Sequence, residues 1–122
     1  MEKLSLNNLE IYRLACRLSR LGWEMYSILS WQNKKIIGDQ FITSTDSVGA
    51  NIAEGTGRFH YLDRIKFFYN ARASLVESIH WNELMKDRLL ITKTNYSQFF
   101  VTATTLKIKL NNFISVTYKQ NG

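Results

Sequence analysis

The chain has no proline, where average usage of about 5% would place roughly six in its 122 residues. A proline inside a helix removes a hydrogen bond and costs about 3 kcal/mol, so this absence suits long uninterrupted helices. A single cysteine, Cys16, excludes an internal disulfide and any multi-cysteine zinc site. Its place in a helical pattern predicts a buried, inert thiol rather than a nucleophile. No run of about 18 apolar residues exists, so no membrane span is expected. The opening Met1-Glu2-Lys3-Leu4-Ser5 lacks an apolar signal core, which predicts a cytoplasmic protein. No stretch alternates apolar and polar residues between turn signals, so no sheet is predicted. From Asn95 onward there are lysines (Lys107, Lys109, Lys119) but no acid.

What remains is a length that fits one domain with one core, and four helix-period segments separated by short breaks. The first spans about 8–29. Ile11, Leu14, Leu18, Leu21, Met25 and Ile28 repeat at three-and-four spacing, and Asn7 with Glu10 offers a capping box. The second spans about 34–54, with Ile37, Phe41, Ser44, Val48 and Ile52 as its apolar stripe and Gly55 and Gly57 as stop signals. It is rich in Ser, Thr and Gly, poor helix formers, so packing must hold it. The third spans about 61–89, with Phe68, Ala71, Leu75, Ser78, Met85 and Leu89 on one face. The fourth spans about 95–118, with Tyr96, Phe99, Ala103, Leu106, Leu110, Phe113 and Thr117 in line and Thr92 or Thr94 as cap. The pattern predicts an all-α fold, an antiparallel up-down-up-down four-helix bundle forming a single domain.

The formal net charge is +6. Arg13, Arg17 and Arg20 share one face of the first helix at four-and-three spacing. A basic face has two readings at this point. It can meet an anionic partner, nucleic acid first, or it can serve as a solvated surface.

Gln40-Phe41, Ser47-Val48 and then Asn51-Ile52-Ala53-Glu54-Gly55-Thr56-Gly57-Arg58 resemble the signature of the bacterial 23S rRNA-intervening-sequence proteins. Phe67-Phe68, Ala71-Arg72-Ala73-Ser74-Leu75, Glu77 and the opening Leu9-Glu10-Ile11-Tyr12-Arg13-Leu14-Ala15 extend that resemblance over most of the chain. It implies a compact bundle assembled as a homo-oligomer, with a pentameric ring the expected form, and nucleic-acid binding, RNA or DNA, as the suggested role. Accessory proteins of diversity-generating retroelements look like relatives of this architecture, which makes a reverse transcriptase or another protein a possible partner. The sequence departs from the family pattern at Ile42 and Thr43, where arginines are usual, at Asp46, where a small apolar residue is common, and at Gly49, where proline is common. A basic surface on the second helix is therefore lost.

Gln40, Ser47, Asn51 and Glu54 fall on one stripe beside the apolar seam, where polar groups need partners. With Gly55, Ser74 and Glu77 they form the motif set, read as a structural or interface element. Asn51 is expected to bond a backbone group of a neighbouring helix, and Glu54 to pair with an arginine such as Arg72. Buried polar pairs of this kind fix register. The alternative is a contact site near Arg58. Glu77 and His80 have the Glu-x-x-His spacing of di-iron bundles, but such a site needs two copies plus two more glutamates, and the chain has only His60 and His80. Gly55-Thr56-Gly57 does not follow a strand and is no phosphate loop. We therefore expect no catalytic residue, metal or cofactor. Arg13, Arg17, Arg20, Arg58, Lys107 and Lys109 are the candidate phosphate contacts. The alternative is an adaptor that binds protein and does not touch nucleic acid. Tyr and Trp at helical spacing read as core rather than as base-stacking platforms, with Trp31, near a loop, the exception to test.

Overall fold

The computed structural model describes residues 5–121, and every regular element among them is helical. A 3-10 turn, Leu6–Asn8, leads into α1, Glu10–Ser27. α2 is a continuous rod over residues 31–57. It begins as Trp31–Asn33, passes through a π-helical turn at Lys34–Gly38 and continues as Asp39–Gly57. α3 is Tyr61–Asp87 and α4 is Lys93–Asn121. α1 packs on α2, α2 on α3, α3 on α4, and α4 back on α1, so the four rods share one core. Phe41 meets Phe99 at 5.0 Å between ring centroids, and Phe68 meets Phe113 edge-on at 5.2 Å.

The pairs that touch run in opposite numerical order on neighbouring helices. Between α3 and α4, Tyr69 meets Tyr118, Arg72 meets Asn111, and Glu83 meets Tyr96. Between α1 and α2, Ala15 lies against Gly49, Gly22 against Thr45, and Tyr26 against Asp39.

Helix ends differ from the spacing-based bounds for local reasons. The Asn7–Glu10 capping box does not form, because Asn7 lies in the 3-10 turn and Leu9 takes the N-cap position. α2 starts three residues earlier than predicted, since the Ser30 hydroxyl accepts the Asn33 N–H at 3.1 Å. It also runs past Gly55, which is an interior residue and not a stop. A side chain there would put Cβ 2.8 Å from Cε1 of Phe68. α3 ends at Asp87, and Leu89 turns the chain with φ of 58°. Its N–H bonds the Lys86 carbonyl and the Leu90 N–H bonds the Met85 carbonyl, the paired bonds of a Schellman stop. Thr92 caps α4 through the Asn95 N–H at 3.0 Å.

The α1 seam is Ile11, Ala15, Leu18, Gly22 and Met25, continued by Leu29. Ile28 is exposed, and Leu14 and Leu21 pack at the core's edge. Cys16 is half-buried, not buried as its pattern suggested. On α2 every stripe residue is buried, joined by Thr45. The buried hydroxyls bond back along their own helix, Ser44 and Thr45 to the Phe41 carbonyl and Ser78 to that of Leu75. Residues of poor helix propensity thus enter the core with their polar atoms satisfied. Asn82 is fully buried. Its amide donates to the Tyr96 carbonyl at 3.3 Å, and its Oδ1 meets no donor among the described residues.

Candidate functional site

α1 buries Ile11, Ala15, Leu18 and Gly22, and this rotation alone forces Arg13, Arg17 and Arg20 to the opposite, solvent side. The three border one shallow groove of about 460 Å³, with Asn7, Glu10, Tyr12, Leu14 and Cys16. Arg13 donates to the Asn7 carbonyl at 3.2 Å, tying the row to the 3-10 turn. Among the described residues none of the three guanidiniums forms an ion pair. Arg17 also reaches the α1–α4 groove, facing Ser97, Gln98, Val101 and Thr102.

The other predicted cations are placed differently. Lys109 pairs with Glu10 at 3.1 Å across α4 and α1, which brings it near the row but offsets its charge. Lys107 is exposed on α4 and forms no ion pair among the described residues. Arg58 pairs with Glu54 at 3.3 Å and lies 4.7 Å from the Phe67 ring centroid. It belongs to the α2–α3 edge rather than to the α1 row.

Of the motif residues, Ser47, Asn51 and Ser74 are joined by hydrogen bonds between α2 and α3. Asn51 donates to the Ser47 carbonyl at 2.9 Å and to its hydroxyl at 3.0 Å, while Ser74 of α3 donates to the same hydroxyl at 3.1 Å. Asn51 thus bonds within its own helix, contrary to the expected cross-helix backbone bond, and the serines make the crossing. Glu54 does not reach Arg72, because Arg58 stands one turn away on the same face. Arg72 instead donates to Asn111 at 3.1 Å and lies over Tyr69 at 4.7 Å. Gln40 is exposed. Glu77 accepts the Trp81 indole N–H at 3.1 Å, and His80 packs on the same ring at 4.8 Å. Among the described residues no three His, Cys, Asp or Glu side chains gather where a metal ion would fit.

One cluster was legible in the sequence only through Trp31. Lys35 lies 4.5 Å from the Trp31 ring centroid and Lys34 lies 5.2 Å from that of Tyr26, on the π turn of α2. The signals were the place of Trp31 near a loop and the four-residue step from Trp31 to Lys35.

The sequence model of the 23S rRNA-intervening sequence protein matches residues 7–112. The chain belongs to that family. Those residues carry the arginine row, the Ser47–Asn51–Ser74 lock and Arg58, so the intervening-sequence-protein match includes every candidate discussed. The crystal structure of a protein with unknown function from the S23 ribosomal protein family of Bacteroides thetaiotaomicron VPI-5482 aligns with a TM-score of 0.80 at 22% identity, over 85% of this chain and 97% of that one. At that identity the likeness establishes the fold. No curated protein matches the chain. None of the described helices is long and apolar enough to cross a membrane.

Proposed function

We propose that this intervening-sequence protein is a non-enzymatic, oligomeric helical bundle that binds nucleic acid or a ribonucleoprotein through basic surface on α1. The observation that carries the reading is the row Arg13, Arg17 and Arg20, exposed on one face and free of carboxylate partners among the described residues. Guanidiniums so placed neutralise phosphates in a way that depends on salt and carries no base readout. Lys109, paired with Glu10 beside the row, and Lys107, on another face of α4, add weaker contacts, and Arg58, paired with Glu54, adds a separate point. The opposite numerical order of contacting pairs supports an up-down-up-down course, and a cytoplasmic location is part of the same reading. Retention of structured RNA on a filter at about 50 mM salt tests it, since phosphate contacts are strongest at low salt. No retention there contradicts it.

A second reading has its own observation. Val101, Ile108 and Val116 are exposed on α4 by 61%, 63% and 50%, on a helix without acids. Such apolar surface favours protein contacts, either between copies in a pentameric ring or with a partner such as a reverse transcriptase. In this adaptor reading the bundle does not touch nucleic acid. A monomeric mass by light scattering removes the ring from both readings.

A further inference from the structure

Two of the three tryptophans lie in solvent at one end of the bundle. Trp23, near the end of α1, is 60% exposed, and Trp31, the first residue of α2, is 69% exposed. Indoles are the largest apolar side chains, and leaving two uncovered forfeits burial that each would otherwise contribute. Both are nevertheless held in place. Trp23 stacks on Tyr26 at 5.5 Å with 26° between planes. Tyr26 is itself fixed, its hydroxyl donating to Asp39 at 2.7 Å and its ring lying where a side chain at Gly38 would need room. Lys35 lies against Trp31, and Lys34 against Tyr26. The lysines thus accompany the rings, and Arg20 precedes Trp23 by less than one helical turn.

We propose that Trp23 and Trp31 are stacking platforms for unpaired bases, so that the nucleic acid followed by the α1 arginines is single-stranded. This rests on the nucleic-acid reading above and narrows it. Arg13 to Arg20 spans about 10 Å along α1, enough for a few phosphates; Glu24 continues that face, and Trp23 lies beside it, about 60° around the helix from Arg20. Bases inside a duplex already stack on each other and offer no free face, whereas an unpaired base gains from an aromatic platform flanked by cations. An anionic membrane is the competing occupant of an edge bearing indoles and lysines. Glu24, next to Trp23, and Asp39, bonded to Tyr26, place carboxylates at that edge that repel headgroups and phosphates alike, so vesicles form a separate arm of the test.

The test is a tryptophan-fluorescence titration of the full chain with a short oligouridylate and with a duplex RNA of equal length, both at low salt. The wild type is expected to bind the oligouridylate more tightly, with quenching. Trp23→Ala and Trp31→Ala are each expected to weaken that binding about tenfold, while Trp81→Phe leaves it unchanged. Circular dichroism melts confirm that the variants fold, as expected for side chains in solvent. The inference is overturned if both alanine variants bind oligouridylate like the wild type, if duplex is preferred, or if the variants change oligomer mass. It is also overturned if phosphatidylglycerol vesicles, and not oligouridylate, shift the emission. Equal binding by wild type and variants removes only the platforms, whereas no binding of either RNA by the wild type removes the broader reading.

Discussion

The edge of the Phe68 ring occupies the space that a side chain at Gly55 would need, with Cε1 2.8 Å from an ideal Cβ. The glycine of the family signature is thus required for helix packing and not for a turn. Two effects oppose each other in Gly55→Ala. Alanine gains about 1 kcal/mol of helix propensity, and overpacking costs about 1–3 kcal/mol. The neighbours are an aromatic ring and Phe67 Cβ, at 3.0 Å, neither of which yields easily, so packing wins. Chemical denaturation is expected to show Gly55→Ala less stable by about 1 kcal/mol. Gly57 has nothing within 4 Å, so Gly57→Ala is the control that does not lose stability.

Leu89 stands at φ of 58° and is 89% exposed. A left-handed conformation costs a residue with a Cβ about 1–2 kcal/mol, and almost no burial is at stake here. Leu89→Gly keeps the stop at the end of α3 and removes that strain, at some cost in unfolded-chain entropy. The expected result is a net gain of about 0.5–1 kcal/mol in a thermal or urea melt.

Tyr96 of α4 donates a hydrogen bond to Glu83 of α3, and Lys86 donates to the same carboxylate at 3.0 Å. The Tyr96 bond, then Lys86, holds the Glu83 carboxyl below its usual range, and the Glu83 bond, then burial, pushes the Tyr96 phenol up. The folded state therefore gains from ionised Glu83 at pH above about 4.3 and loses that gain as pH falls through the lowered value. It gains from neutral Tyr96 below about pH 10 and loses that as pH rises through the raised value. Melting temperature against pH is expected to fall less steeply at both flanks in Tyr96→Phe than in the wild type. Parallel curves would show that the pair contributes nothing pH-dependent.

The helices were legible because the core obeys three-and-four spacing, most clearly at Ile37, Phe41, Ser44, Val48 and Ile52 on α2, all buried. Their ends were less legible, because several residues look alike as caps. Ser30 and Thr92 cap, and Asn7 does not. On α1 the seam takes four-residue steps to Ala15, Gly22 and Leu29, so it joins residues of two adjacent apolar strips and leaves Leu14 at the edge and Ile28 exposed. Asn82 was missed because its polarity argues against burial, although it falls in step with Ser78 and Met85.

The arginine row was legible because one helix fixes it. The partners of Glu54 and Asn51 were not, since spacing within a helix does not give the register between helices. Arg72 belongs to Asn111 of α4, and the crossing from α2 to α3 is made by Ser47 and Ser74.

If Arg13, Arg17 and Arg20, without ion pairs among the described residues, hold phosphate as proposed, salt dependence measures it most directly. Each phosphate neutralised on a single strand contributes about 0.7 to the slope of log affinity against log salt. Replacing Arg13, Arg17 and Arg20 with glutamine together is expected to lower the slope for oligouridylate by about 2 and to leave the melting temperature unchanged. A triple variant that binds with the wild-type affinity and slope would contradict the account.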